Sequence, residues 1–482
     1  MLTVRLSGGR VEDFLICADC VGETFLKAQI DKKGENGRCY YCKAEGMTFT
    51  IEEMANEVEI ALQEHYVQTA SESSYLEYLT SDEENPLYGS ERAGEPVAAV
   101  ISWCTGIDEA PAEDIRGILA VRHYDGKREE SPFEEGAYYI GKGIDDAESR
   151  ALWIHLEESL ATEARYFNPL AEDVLTETFE GLIEYRTHDA RRVIVNAGPG
   201  TEISTIYRAR VFQSEEKLLE ALKRPDMEIG SPPPSAARSG RMNPLGVGVF
   251  YGAIDPGVAL AEVRPPVGSR VVIAGFEIIR SLCLLDLDAL QAVDAEGSIF
   301  DRSYIRKKER SKFLKWLSER ITRPVMPDDE LFEYLPTQAI ADFLATRTEP
   351  TLDGILYPSV QDGDGNLNVV LFHKASRVEG LDVPGDAEVS VSAVDYTRER
   401  PSIDYHVWEK VPSRRADDGA APDIHSPFLA PYSTTPEAYD AREPALRLTI
   451  STVEVRYVDQ IEYKTQNRTI GRSRYEAPAS QL

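Results

Sequence analysis

The apolar periodicity changes character at Val193, and no one kind of secondary-structure layer can satisfy both halves of the chain. Before it, apolar residues return at helical spacing. Ile51, Met54, Ala55, Val58, Ala61 and Leu62 fall on one helical face. They follow Thr50-Ile51-Glu52-Glu53, which has the form of a capping box. A second helix is predicted from Asp146, carrying Leu152, Trp153, Leu156 and Leu160, and a third over 171–182. After Val193 the apolar runs become short and β-rich, at 203–212, 247–251, 271–276 and 368–372. Helical stretches at 308–321 and 337–346 interrupt them. The chain therefore reads as α+β and multi-domain, with a mainly helical part followed by a mixed α/β part.

Its 482 residues exceed what one core supports, so two or three domains are expected. The segment 229–239, with Pro232-Pro233-Pro234, reads as a loop, as do 81–96 and the Pro/Ala/Ser/Asp-rich 410–444. Alternation over 446–463 predicts closing strands, read as a hairpin. The formal charge of −31 repels phosphate backbones and anionic lipid, so neither a nucleic-acid nor a membrane partner is expected. No apolar run approaches the roughly 20 residues of a membrane helix. Met1-Leu2-Thr3-Val4-Arg5 leads into Gly, Arg, Glu and Asp, which does not read as a secretory signal. With six cysteines in so long a chain, a reducing cytoplasm is expected.

Four of those cysteines form two hooks, Cys17-x2-Cys20 and Cys39-x2-Cys42, with 18 residues between them. Each hook can offer two thiolates to one side of a tetrahedral ion, the spacing of a zinc ribbon or knuckle. Four thiolates leave no open position for water, so the zinc is expected to be structural. It would fold a segment, residues 1–48, too small to own a core. Cys104 and Cys283 read as small buried hydrophobes.

The densest chemistry lies in Gly240-Arg241-Met242-Asn243-Pro244-Leu245-Gly246, Val249-Phe250-Tyr251 and Asp255-Pro256-Gly257-Val258-Ala259-Leu260-Ala261-Glu262. Val247, Val249 and Tyr251 alternate, which predicts a strand with Tyr251 at its C-terminal end. Asp255 can cap a helix whose first turn suits Pro256, and Glu262 falls about two turns in. A loop, a strand end and a helix thus each deliver one polar or aromatic side chain.

This run resembles the RES domain, a family named for its Arg, Glu and Ser. Downstream, Asp353-Gly354-Ile355-Leu356-Tyr357-Pro358-Ser359-Val360 and Asn368-Val369-Val370-Leu371-Phe372 look like the family's Ser motif and final core strand. Upstream, Ile206-Tyr207-Arg208 looks like its opening strand, and the resemblance covers residues 200–376. Met242 departs from the aromatic usual at that position. The resemblance implies an ADP-ribosyltransferase-like fold and a toxin that consumes NAD by hydrolysis or phosphorolysis. It implies Arg241 on the pyrophosphate, Tyr251 against the nicotinamide ring or ribose, Glu262 on the ribose and its cationic transition state, and Ser359 at the nicotinamide end. Arg208, Tyr207 and Asn243 are further NAD-binding candidates. Ser359 lacks a Gly-x-Ser-x-Gly elbow and does not read as a hydrolase nucleophile.

Residues 49–192 resemble the HEPN-like helical domain often fused ahead of RES domains, notably over Ala164-Arg165-Tyr166-Phe167-Asn168 and Ala171-Glu172-Asp173-Val174-Leu175. Arg150 and His155 match the Arg-x4-His of HEPN ribonucleases, but about 140° of helix separates them. The expected layout is a four-cysteine zinc-binding segment (1–48), the helical domain (49–192), the RES domain (193–400), and a linker with strands (401–482). The resemblance further implies a helix-turn-helix antitoxin or other regulatory protein as partner, and a homo-oligomer is expected. The N-terminal regions are expected to supply part of the control. Two alternatives stay open: ADP-ribosyl transfer to a macromolecule, and an RNA-cleaving or RNA-binding HEPN protein.

Overall fold

The computed structural model describes residues 14–69, 93–124, 132–361, 365–384, 386–395, 403–412, 440–462 and 465–472. The chain divides into two compact units, Met1–Val193 with Ala289–Ile321, and Ile194–Asp288 with Thr322–Leu482. The loops expected at 81–96 and 410–444 lie for the most part outside the described residues.

In the first unit, β1 (Leu15–Cys17), β2 (Glu35–Arg38) and β3 (Glu45–Thr50) form an antiparallel sheet in the order β1-β3-β2. The helix Ile51–His65 follows directly, and its capping box is present. Thr50 Oγ1 accepts from the Glu53 amide at 3.1 Å, and Glu53 Oε2 accepts from the Thr50 amide at 2.8 Å. The cysteine-bearing segment does not stand apart. Phe14, Ile16, Leu26, Ile30 and Phe49 are buried in one cluster with Ile51, Met54, Val58, Leu62, Ile101, Ile115 and Leu119 of the following helices. A segment too short for its own core has joined a neighbour's.

A second small sheet lies within the region expected to be helical. It joins β4 (Tyr66–Gln68), β5 (Glu95–Pro96) and β6 (Tyr138–Gly141) in the order β4-β6-β5. Strands this short carry no readable alternation. The helices Ala147–Thr162 and Pro169–Phe179 sit close to their expected positions. The helix Tyr304–Thr322 brings Phe313 to 6.3 Å from the Trp153 ring, and Arg320 Nε donates to Glu157 Oε1 at 2.6 Å. Residues 289–321 thus return to the first unit from the middle of the second.

Among the described residues of the second unit, nine strands form one sheet: β7 (Ile194–Ala197), β8 (Thr205–Phe212), β9 (Phe250–Ala253), β10 (Arg270–Ile278), β11 (Leu282–Asp286), β12 (Gly354–Pro358), β13 (Leu367–Leu371), β14 (Val378–Glu379) and β17 (Leu446–Tyr457). Their order is β14-β17-β10-β8-β9-β13-β12-β11-β7. The β11–β12 and β14–β17 pairs are parallel and the others antiparallel, so the sheet is mixed. A separate hairpin pairs β15 (Glu388–Asp395) with β16 (Ile403–Lys410). The closing segment is one long strand rather than the expected hairpin. β17 runs beside β10 with a register shift between Ile273 and Gly275, where the Gly275 amide donates to Thr452 Oγ1 at 2.8 Å.

Opposite faces of the sheet bury two clusters. The larger holds Phe250 and Phe276, edge to face at 5.0 Å, with Ile206, Leu284, Leu356, Val369 and Leu371. The smaller holds Ala209, Ala253, Val258, Ala259, Val271 and Ile273, which places the helix Pro256–Glu262 on that side.

Candidate functional site

Four neighbouring strands of the large sheet and one short helix converge on a cavity of about 250 Å3. Its lining includes Arg208 and Ala209 of β8, Tyr251 and Gly252 of β9, Asn368 of β13 and Tyr357 of β12. Ala259, Glu262 and Val263 close it from the helix side. Among the described residues β8 and β9 pair at one position, Tyr207 with Ala253, and both line the space that opens beside it.

Local sequence explains each delivery. Asp255 Oδ1 accepts from the Gly257 amide at 2.7 Å and the Val258 amide at 3.3 Å, which starts the helix at Pro256. Arg264 then takes a left-handed φ of 44° ahead of Pro265, which stops the helix with Glu262 as its last residue. The strand before it begins later than expected. Residues 247–249 are loop, and side chains take the carbonyls of Val247 and Gly248. Val247 O accepts from Asn243 Nδ2 at 2.9 Å, and Gly248 O accepts from Ser376 Oγ at 3.3 Å. Tyr251 therefore lies near the start of β9 rather than at its end.

Glu262 is the most tightly specified group. Its Oε1 accepts from Ser359 Oγ at 2.6 Å and from Asn368 Nδ2 at 2.7 Å. Ser359 and Asn368 are 6% and 1% exposed, so both donors are held by the surrounding protein. Ser359 Oγ accepts in turn from the Gln361 amide at 3.2 Å. Tyr251 donates to Asn243 Oδ1 at 2.8 Å and accepts from the Met242 amide at 3.0 Å. Burial pushes its phenol up to about 12, and it pushes the Tyr357 phenol up as well, with the Glu262 charge adding to the rise. Both tyrosines therefore stay protonated at neutral pH. The Arg208 guanidinium lies 5.1 Å from the Phe250 ring centroid. Burial, then Arg210, draws Arg208 down to about 10, so it keeps its charge at neutral pH. Its Nη1 and Asn368 Oδ1 are buried without a hydrogen-bond partner among the described residues. A site with one carboxylate, one buried cation and two neutral phenols suits a ligand that is polar, partly anionic and able to carry a developing positive charge.

Residues 206–397 match the model of the RES domain family. The chain carries a RES domain. RES domains are linked in general to toxin-like, NAD-processing enzymes. No curated protein and no solved structure matches the chain.

Within the RES domain, Tyr251, Glu262, Ser359 and Arg208 come together at the cavity, with Ser359 reaching it through Glu262. Arg241 lies outside the lining. It sits 5.4 Å from the Tyr334 ring centroid, and its Nη2 donates to Arg323 O at 2.8 Å. Two candidates are placed elsewhere. Tyr207 is absent from the lining and packs, half-buried, against the small apolar cluster on the same face of β8 as Ala209. Asn243 is 3% exposed and is spent on the loop: Nδ2 reaches Arg238 O, Pro244 O and Val247 O, and Oδ1 holds Tyr251. Tyr357 and Asn368 belong to the lining without having been singled out, although both lie in the quoted motifs. A lone Asn within an otherwise apolar strand was the available signal, since Asn is depleted in strands.

The four N-terminal cysteines also come together, with all sulfurs within 4.8 Å of one another. Cys17 and Cys42 are 3.4 Å apart and Cys20 and Cys39 are 3.7 Å apart. A tetrahedral ion with Zn–S near 2.3 Å needs sulfurs about 3.8 Å apart, so the cluster fits zinc. Arg150 and His155 are not brought together. Arg150 Nε donates to Asp146 Oδ2 at 2.7 Å and its guanidinium lies 5.1 Å from the Trp316 ring centroid, while His155 is exposed. The family match begins at residue 206 and does not extend to the HEPN-like reading. No helix among the described residues is long and apolar enough to cross a membrane.

Proposed function

We propose that the RES domain breaks the nicotinamide–ribose bond of NAD. The observation that carries this reading is the Glu262 carboxylate, pinned through Oε1 at the wall of a cavity and left with Oε2 for a ligand. The cavity falls below the roughly 300–1,000 Å3 of pockets for whole drug-sized ligands, so it suits one end of a dinucleotide. The nicotinamide riboside end would enter it. Tyr251 and Tyr357 offer ring faces there, and Arg208 and Arg241 serve the phosphates.

The C1′–N bond then breaks with its electron pair leaving on nicotinamide, a neutral product. The positive charge left on the ribose is offset by Glu262, as carboxylates do in glycoside cleavage. Water attacks C1′ and loses a proton, or a phosphate oxygen attacks in its place. Ser359, directed at Glu262, acts by holding that carboxylate rather than by touching nicotinamide. The four-cysteine cluster is read as a structural zinc site, since four thiolates leave no coordination position for a reactant.

The test is nicotinamide release by purified protein from NAD, with and without phosphate. Free ADP-ribose assigns hydrolysis, its 1″-phosphate assigns phosphorolysis, and label on protein assigns transfer. NAD left intact under all conditions would remove the reading. A finer prediction concerns Asn368→Leu, which keeps the volume but deletes one donor to Glu262. Hydrogen bonds to charged groups contribute about 1.5–3 kcal/mol, so turnover is expected to fall about ten- to a hundredfold. The melting temperature should hold, because the variant also deletes a buried orphan acceptor. Unchanged turnover would remove Asn368 from the site's support.

A further inference from the structure

One turn of a neighbouring helix grips the loop that carries Arg241. The helix Leu335–Thr346 is preceded by Tyr334, its N-cap residue. Tyr334, Thr337 and Gln338 stand at i, i+3 and i+4, so they share one face. All three meet the loop. The Arg241 guanidinium lies over the Tyr334 ring, Thr337 Oγ1 donates to Arg241 O at 2.5 Å, and Gln338 Nε2 donates to Gly240 O at 2.8 Å, Asn243 O at 3.1 Å and Ser239 Oγ at 3.1 Å. From the other side Tyr251 holds the Met242 amide and Asn243 Oδ1. The loop's residues 240–243 are therefore clamped between the cavity wall and this helix. Thr337 is buried, so its bond to the loop is shielded from water.

The geometry points to Thr337 and Gln338 as positioning residues that fix Arg241 for the pyrophosphate of the substrate. Neither lines the cavity, and neither was singled out as a motif residue. This inference rests on the NAD reading above and adds a division of labour to it. The cavity governs bond breaking at the riboside, and the clamped loop governs grip on the phosphates. A grip that is equal in ground state and transition state sets KM and leaves kcat alone. Loosening the clamp should therefore weaken NAD binding without slowing the chemical step, and should matter only for substrates that carry a pyrophosphate.

The experiment uses the full chain with Gln338→Met and, separately, Thr337→Val, each assayed on NAD and on nicotinamide riboside. A loop misplaced by about 1 Å can cost on the order of a hundredfold. The expected result is a KM for NAD raised about ten- to a hundredfold, kcat within about twofold of wild type, and riboside cleavage unchanged. Thr337→Ser, which keeps the hydroxyl, should restore wild-type KM. In an Arg241→Ala background Gln338→Met should add no further loss, because contacting residues couple. Equal losses on NAD and riboside would overturn the inference, as would additive losses in the double variant. Wild type that cleaves neither substrate would remove the NAD reading, and the inference with it.

Discussion

Glu262→Gln is expected to lower NAD turnover by about 10²–10³-fold while leaving the fold intact. The substitution is close to isosteric. Its Oε1 can still accept from Ser359 Oγ and Asn368 Nδ2, now at 2.6 and 2.7 Å from the carboxylate, so the local network survives. On the proposed reading, what disappears is the negative charge that would face the ribose as C1′ becomes cationic. A preorganised electrostatic group of this kind contributes about 2.7–4 kcal/mol to a transition state. The measurement is nicotinamide release at saturating NAD, beside thermal unfolding of the same preparations. A variant that melts like wild type and turns over within about threefold of it would take Glu262 out of the chemistry. Ser359→Ala should fall short of Glu262→Gln, since Asn368 still holds the carboxylate.

The second large effect is expected at the cysteine cluster. The protein should carry one zinc per chain, and chelation or Cys39→Ser should destabilise the first unit by several kcal/mol. Isolated finger peptides draw about 10–16 kcal/mol from structural zinc, because without metal they have little else. Here the same segment buries Phe14, Ile16, Leu26, Ile30 and Phe49 in a core shared with helices, so apolar burial supplies part of the stability. The loss should therefore be smaller than in a finger peptide. Metal analysis of the purified chain and melting with and without chelator check this. Metal-free protein whose unfolding ignores chelator would rule out structural zinc.

The site depends on groups that differ in how plainly a sequence announces them. Glu262 and the cap at Asp255 were legible because local rules place them, whereas alternation put Tyr251 at the wrong end of its strand. A capping carboxylate and a proline start a helix, and a helix two turns long sets where its last residue falls. The cysteine hooks were legible for the same reason, since metal ligation depends on short spacing. The capping box at Thr50 and most long helices also follow from residues within a few positions of one another.

Tertiary structure alone decided the rest. Asn243 had the look of a ligand, but the carbonyls that absorb it, Arg238 O and Val247 O, are gathered by loop closure rather than by spacing. Asn368 and Tyr357 reach the cavity because β13 lies between β9 and β12, an order that no local pattern encodes. The start of β9 also lies later than alternation placed it, and distant Ser376 takes the Gly248 carbonyl just before it. The interleaving of the units is the clearest case. Residues 289–321 read as part of the second half but belong to the first unit, where Leu314 and Leu317 are buried. Periodicity tells a helix which face to bury, and it is silent on which partner will cover that face.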